Sequence, residues 1–317
     1  MSLRLRLAPL ALLGGLLFAP EVRADAGPPP LPPARRITYE NAIGLRVNPI
    51  GLEEQLTVSY RHRMYASDSL VLRDNHIGFA FMPTLSPAVL RMGGVLEVRP
   101  ATVLNLSVGA FQATYFGAFG SMRSFPNATV AAYSNDELKD AQDAELTYLT
   151  SAVELQARAQ ALAKVGPIVL REDAVLTYQE ARLHDGDRVF YNTRIDQLVP
   201  DEGLTLTSDT DLVYLSDFGL VAGVRGTVLK SFLDAEQVGP ARPDGEDTTL
   251  AARVGPLVAY TFFDHPGAAW NKPTVVAMTG FWLAHPYRAG QDVSQGFPWA
   301  ILALRFEGEL WRGDSKR

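Results

Sequence analysis

The 317-residue chain has no cysteine. Disulfides, thiolate metal sites, cysteine nucleophiles and a lipid-modified N-terminal cysteine are therefore excluded, and the fold must be held by backbone ladders and packing. Nor is the chain greasy enough for a helical membrane protein, in which each span takes about 20 consecutive apolar residues. Hydrophobic residues make up 47% of it, and mean hydropathy is close to zero. Positive charge is also scarce. Lys and Arg number 29 against 35 Asp and Glu, a net charge of −6, which argues against nucleic acid as a partner. The five histidines, His62, His76, His184, His265 and His285, show no H-x-x-x-H or histidine–carboxylate spacing. No metal site and no cofactor is expected from them. A Gly-x-Ser-x-Gly nucleophile elbow is absent.

What is present begins with an export signal. Arg4 and Arg6 precede an apolar stretch over 7–20, too short for a comfortable span, and Val22-Arg23-Ala24 has the small-x-small form of a cleavage site. Residues 1–24 are expected to be removed after Ala24, which leaves 26 basic and 34 acidic groups, a net charge of −8. Residues 25–39, rich in proline, read as an extended periplasmic linker. Residues 40–311 form the main domain, and 312–317 a charged tail.

The main domain is built from two-faced runs. In the last, over 298–311, Ala300, Leu302, Leu304, Phe306, Gly308 and Leu310 fall on one side, and Ile301, Ala303, Arg305, Glu307 and Glu309 on the other. A strand puts successive side chains on opposite faces, so this run has one greasy face and one that turns charged. About twelve such runs occur, at 41–47, 55–65, 76–82, 89–99, 103–116, 146–165, 168–178, 204–215, 220–229, 250–263, 274–283 and 298–311. The run at 146–165 mixes signals. It alternates from Glu154 to Lys164, yet its alanine, leucine, glutamine and arginine favour helix. A helix would give a poorer apolar stripe, so strand is expected. Several runs exceed ten residues, the length a membrane strand needs, whereas strands of soluble proteins average about 5–6.

Aromatic residues cluster near run ends: Tyr65, Tyr115, Phe116, Tyr178, Tyr214, Tyr260, Phe262, Trp282, Trp299 and Trp311. These are candidates for girdles at the membrane surfaces. The final strand, with Phe306 and Trp311 close to the C-terminus, resembles the terminal segment of Gram-negative outer-membrane β-barrel proteins, although residues 312–317 follow the aromatic. The resemblance implies an antiparallel transmembrane barrel of about twelve strands, with ten to fourteen possible, located in the outer membrane. It implies membrane lipid and lipopolysaccharide as neighbours, and delivery by the outer-membrane assembly machinery. It leaves oligomeric state open. Short turns (48–53, 100–101, 166–167, 216–218) and long polar connections (117–145, 183–203, 231–248) fit that design, while 66–75 is long where a short turn is expected.

The faces opposite the greasy ones line the expected lumen. They carry Arg61, Arg63, Arg91, Arg99, Arg158, Arg171, Arg225, Arg253 and Arg305, opposed by Glu97, Asp209, Asp211 and Glu307, together with Glu154, Asp173 and Glu309. Mixed signs point to charges paired across a nearly closed barrel, or to a narrow porin-like pore whose arginines select anions. The alternatives are a barrel enzyme of lipase or protease type, and a soluble periplasmic β-protein. No histidine precedes a serine by two residues, as it does in outer-membrane phospholipases. His184-Asp185-Gly186-Asp187 has the composition of an omptin-type site but reads as an Asp-Gly turn. An acidic run, Asp136, Glu137, Asp140, Asp143 and Glu145, reads as a solvated loop.

Overall fold

The computed structural model describes residues 31–118, 121–144, 146–240, 249–287 and 299–313. The expected signal peptide, residues 25–30 of the linker, and residues 314–317 of the tail lie outside these. The chain folds as a closed antiparallel barrel of twelve strands. In chain order its pieces are β1 (Arg35–Val47), β2 (Gly51–His62), β3 (His76–Phe81), β4 (Thr84–Leu85), β5 (Val89–Ala101), β6 (Leu104–Tyr115), β8 (Thr150–Val165), β9 (Ile168–Ala181), β12 (Glu202–Leu215), β13 (Leu220–Phe232), β14 (Leu250–Thr261), β15 (Asn271–Ala284) and β16 (Trp299–Gly313). β3 and β4 pair with the same neighbours, β2 and β5, and count as one strand. The break between them holds Pro83, which has no N–H to give to a ladder. The connections contribute β7 (Ser124–Phe125), β10 (Val189–Asn192), β11 (Gln197–Pro200) and the helices α1 (Asn135–Asp143) and α2 (Ala235–Val238).

Closure is made by β1 against β16, with paired residues running from Arg35↔Gly313 to Val47↔Ala300. Both barrel ends of the chain reach further than the alternating pattern indicates. β1 starts at Arg35, inside the stretch 25–39 read as linker, because residues 35–39 find backbone partners on both β2 and β16. β16 continues through Arg312 and Gly313, where Arg312 Nε bonds Glu309 at 2.6 Å. The ambiguous run at 146–165 is a strand from Thr150, since it must supply ladders to β6 and β9 at once.

Strand directions place both termini of the barrel at one end, together with the turns 102–103, 166–167 and 216–219. In the last but one of these, Gly166 takes φ 57°, a left-handed conformation that glycine adopts at no steric cost. The connections β6–β8, β9–β12, β13–β14 and β15–β16 lie at the opposite end. Short turns face the periplasm and long loops the exterior in barrels of this kind. The connection 63–75 is a long one on the periplasmic side.

Outward positions are mostly apolar on every strand: Leu45, Leu96, Val108, Leu212, Val258 and Leu302, for example, stand exposed. Only hydrocarbon can cover such a surface without cost, and only a closed ladder leaves no backbone group unbonded within it. The chain is thus a transmembrane β-barrel of the outer-membrane kind. Among the aromatics, Tyr65, Phe116, Tyr214, Tyr260, Phe262 and Trp311 project outward, but Tyr115, Trp282 and Trp299 point into the barrel. Those three cover luminal arginines or the base of a loop. The lumen wall is also less polar than alternation suggests. Val169, Val213, Val221, Val276, Met278 and Ile301 form a buried apolar cluster on the β9–β16 side. The segment 275–278 is apolar on both faces, so its inner face carries no polar signature.

The seam between first and last strands has its own inner clamp. Arg305, 2% exposed, reaches Glu40 of β1 at 3.0 Å and Glu307 of its own strand at 2.8 Å. Removing one member of a buried pair leaves a charge without its partner, at a cost of about 3–5 kcal/mol. Glu40 and Glu307 are partly exposed and Glu307 keeps Lys272, so Arg305→Ala is expected to lower the stability of the refolded barrel by less, about 1–3 kcal/mol. Urea titration followed by the heat-modifiable gel shift measures it.

Candidate functional site in the barrel lumen

The inward charges expected from the sequence fall into three groups along the barrel. The first is near the periplasmic end. Arg61 meets Glu97 at 2.9 Å, and the buried His76 ring bonds the same carboxylate at 3.1 Å. Arg99 and Arg36 both pair with Asp74, the latter at 3.2 Å. Glu307 is shared by Arg305 and Lys272, each at 2.8 Å. Arg63 sits just past β2, where it donates to the Pro32 carbonyl at 2.6 Å and so ties down the segment before β1.

The second group spans β8, β9, β12 and β13. Register makes it: Arg171, Asp211 and Arg225 lie opposite one another on successive strands, so signs alternate around the wall. Arg225 grips Asp211 with two bonds of 2.6 and 2.8 Å, and Arg171 bonds the same carboxylate. Asp209 lies 3.7 Å from Arg225 and accepts from Thr227. Arg158 holds Asp173 by a two-pronged contact of 2.7 and 2.6 Å. Two-pronged guanidinium–carboxylate pairs fix geometry as well as charge. Arg253 lies over two indoles, 4.1 Å from the Trp299 ring centre and 4.9 Å from that of Trp282, a cation–π arrangement.

The third group meets a segment that the alternating pattern leaves as loop. β10 and β11 form a hairpin, with β7 as a third strand, and all residues of β10 and β11 are buried. The hairpin comes from the outer connection between β9 and β12, yet it is folded back into the barrel mouth. At its tip, Arg194 bonds Glu154 of β8 at 2.9 Å, and Arg91 of β5 holds the other oxygen of that carboxylate at 2.6 Å. The Arg91 guanidinium stacks 3.2 Å from the centre of the Phe111 ring, which covers Gly93. Arg46 Nη2 donates to the Thr193 carbonyl (2.9 Å), Ser231 Oγ to that of Leu198 (2.6 Å), and the His285 ring to that of Asp196 (2.8 Å). Phe190, Ile195 and Val199 pack among wall residues Val89, Tyr115, Leu229 and Ala251. Both apolar and ionic contacts therefore anchor the hairpin inside the outer half of the barrel.

Toward the periplasm from the hairpin, one side of the wall keeps access to water. Thr57, Arg61, Asn105, Ser107, Gln156 and Arg158 face inward but are only half-buried. The sequence pattern finds most of the wall charges and misses those that hold the hairpin: Arg194, Arg46 and His285. One signal is present, in that Val189-Phe190-Tyr191 and Leu198-Val199 flank the polar tip of an otherwise polar connection.

No group of His, Asp and Glu suited to a metal ion occurs among the described residues. At the outer rim Ser124 bonds Tyr148 (2.7 Å) and Asp187, while His184 stacks on the Tyr148 ring at 3.7 Å. No hydrogen bond joins the His184 ring to Ser124 or Asp187 among the described residues, so this cluster lacks the base–nucleophile contact of a hydrolase. The acidic run of the first long loop lies on α1, apart from Glu145, which is outside the described residues.

No family model and no curated protein matches the chain. Solved structures with similar folds include the NanC porin (7% identity over 86% of this chain and 100% of that one, TM-score 0.41). Others are the KdgM porin (10% identity, 86% and 98%, 0.37) and LpxR from Salmonella typhimurium (8%, 86% and 99%, 0.35). At such distances the likeness says nothing of cargo or chemistry.

One periplasmic contact has a defined pH dependence. Burial alone would raise the Asp74 carboxyl, but Arg99 and Arg36 beside it more than offset this and hold it well below the usual carboxylate range. A depressed carboxyl adds stability above its unfolded pKa of about 3.9, and that stability fades as pH falls toward the folded value. Asp74→Asn is expected to destabilise the barrel by a constant amount from pH 8 to about 5, with the difference from the parent shrinking below about pH 4. Urea midpoints across that range test the sign.

Proposed function

We propose that this outer-membrane barrel is a narrow channel held shut by its own outer hairpin. The bond between Arg194 of the hairpin and Glu154 of the wall carries the reading. It is supported by the half-buried polar wall beneath the hairpin, which a purely structural barrel has no need to keep wet. The cargo is a small polar solute, and the water-accessible Arg61 and Arg158 favour anionic ones. Opening consists of withdrawal of residues 189–200 toward the exterior, which frees Arg91 and Glu154 to line the mouth.

A second reading, a permanently closed structural barrel, is favoured by the apolar cluster on the β9–β16 side. Planar bilayers separate the two. The parent protein is expected to be silent or to open rarely. Replacing residues 190–199 by a short Gly-Ser link, or Glu154 by Ala, is expected to raise the open fraction at least tenfold, with discrete steps and anion preference. If the shortened, fully folded protein stays silent, the barrel is structural and the channel reading fails.

A further inference from the structure

The apolar band on the outer surface of the barrel is interrupted by two carboxylates: Glu54 of β2, which accepts from Asn41 of β1 at 2.9 Å, and Glu172 of β9. On β9 the outward residues are Ile168, Leu170, Glu172, Ala174, Leu176 and Tyr178. Their partners on β12 are Tyr214, Leu212, Thr210, Ser208, Leu206 and Leu204. Tyr214 and Tyr178 mark the two ends of this stretch, so Glu172 with Thr210 and Ala174 with Ser208 form its two middle rungs. The Glu172 carboxyl accepts from Thr210 Oγ1 at 2.6 Å and from Ser208 Oγ. Two hydroxyls leave part of its capacity for hydrogen bonds unused. Ionisable groups at this depth are costly on a lipid-facing surface and call for a partner.

The surroundings are unusually low. The same rungs continue to Ala161 and Ala159 on β8 and to Gly226 and Val228 on β13. Ala157 and Ala163 extend the row on β8. Single small residues occur elsewhere in the band, such as Gly94 on β5 and Ala277 on β15, but the other carboxylate, Glu54, has the large Leu52, Leu56 and Ile43 as outward neighbours. Small residues let two membrane-embedded backbones approach closely, and polar groups between them then bond out of reach of lipid.

We propose that the β8–β9–β12 face is the contact between two copies of this chain in the membrane, related by a twofold axis along the membrane normal. Depth argues for a second copy. A partner has to present polar groups midway between the girdles, and an identically oriented copy brings its own Glu172, Ser208 and Thr210 to that level. The set is also self-complementary. Each hydroxyl has one hydrogen, given to its own Glu172 in the single chain, and across the twofold axis it can be given to the Glu172 of the other copy instead, so the two sets can interlock.

The absence of cysteine makes the test clean. Single variants Ala161→Cys and Leu304→Cys, in the full chain, are oxidised in native membranes and after reconstitution. Ala161→Cys is expected to give a disulfide-linked dimer of twice the monomer mass, at least tenfold more than Leu304→Cys on the opposite side. Adding Glu172→Leu, which suits lipid and leaves the heat-modifiable barrel intact, is expected to lower that yield at least tenfold. Equal yields at the two positions, no product, or a product of another mass overturns the proposal. So does a dimer yield indifferent to Glu172→Leu.

Discussion

Within hydrocarbon no water is present to bond a free N–H or C=O, and the whole structure follows from that constraint. β1 must find β16, because an open edge in lipid would expose a row of unbonded groups. The chain meets this by extending both strands past the segments in which hydrophobic alternation is clean. Residues 35–39 and 312–313 join the ladder although their side chains give little pattern. Backbone pairing, rather than side-chain polarity, sets where the barrel begins and ends.

Once the sheet is closed, its inner face becomes a volume to be filled. Two kinds of filling share it. On the β9–β16 side, valines, Met278 and Ile301 pack as they would in a soluble core. Elsewhere arginines and carboxylates occupy the space, and register decides who meets whom: Arg171, Asp211 and Arg225 alternate because three strands align them. Buried ion pairs add little net stability, yet removing one partner is severe. They therefore act less as glue than as a constraint on which wall positions and which loop can coexist. The hairpin tip shows this, since Arg194 enters a site where Glu154 is already held by Arg91.

Much of the barrel was legible in the sequence because a strand writes its two faces alternately. All twelve strands coincide with the twelve alternating runs, including the one whose alanines favour helix. Legibility failed where the two faces are alike. Val276 and Met278 look like their lipid-facing neighbours, so the apolar part of the lumen was hidden. It failed for Tyr115, Trp282 and Trp299 too, because an aromatic near a strand end can serve a girdle or cover an inner cation. The hairpin escaped because its strands are four residues each and buried on both faces, leaving no period to read. The contact of Arg194 with Glu154 spans 40 residues and depends on a loop folding back, which local pattern does not encode.

Closure of β1 onto β16 is the claim from which the lipid-covered exterior, the filled interior and the hairpin's place in the mouth all derive. Hydrogen exchange of the protein in lipid bilayers tests it most directly. Backbone amides of β1 and β16 are predicted to be protected as strongly as those of the internal pair β12 and β13. Rapid exchange along one side of β1 or β16, with β12 and β13 still protected, would mean an open sheet with a free edge and would contradict the account.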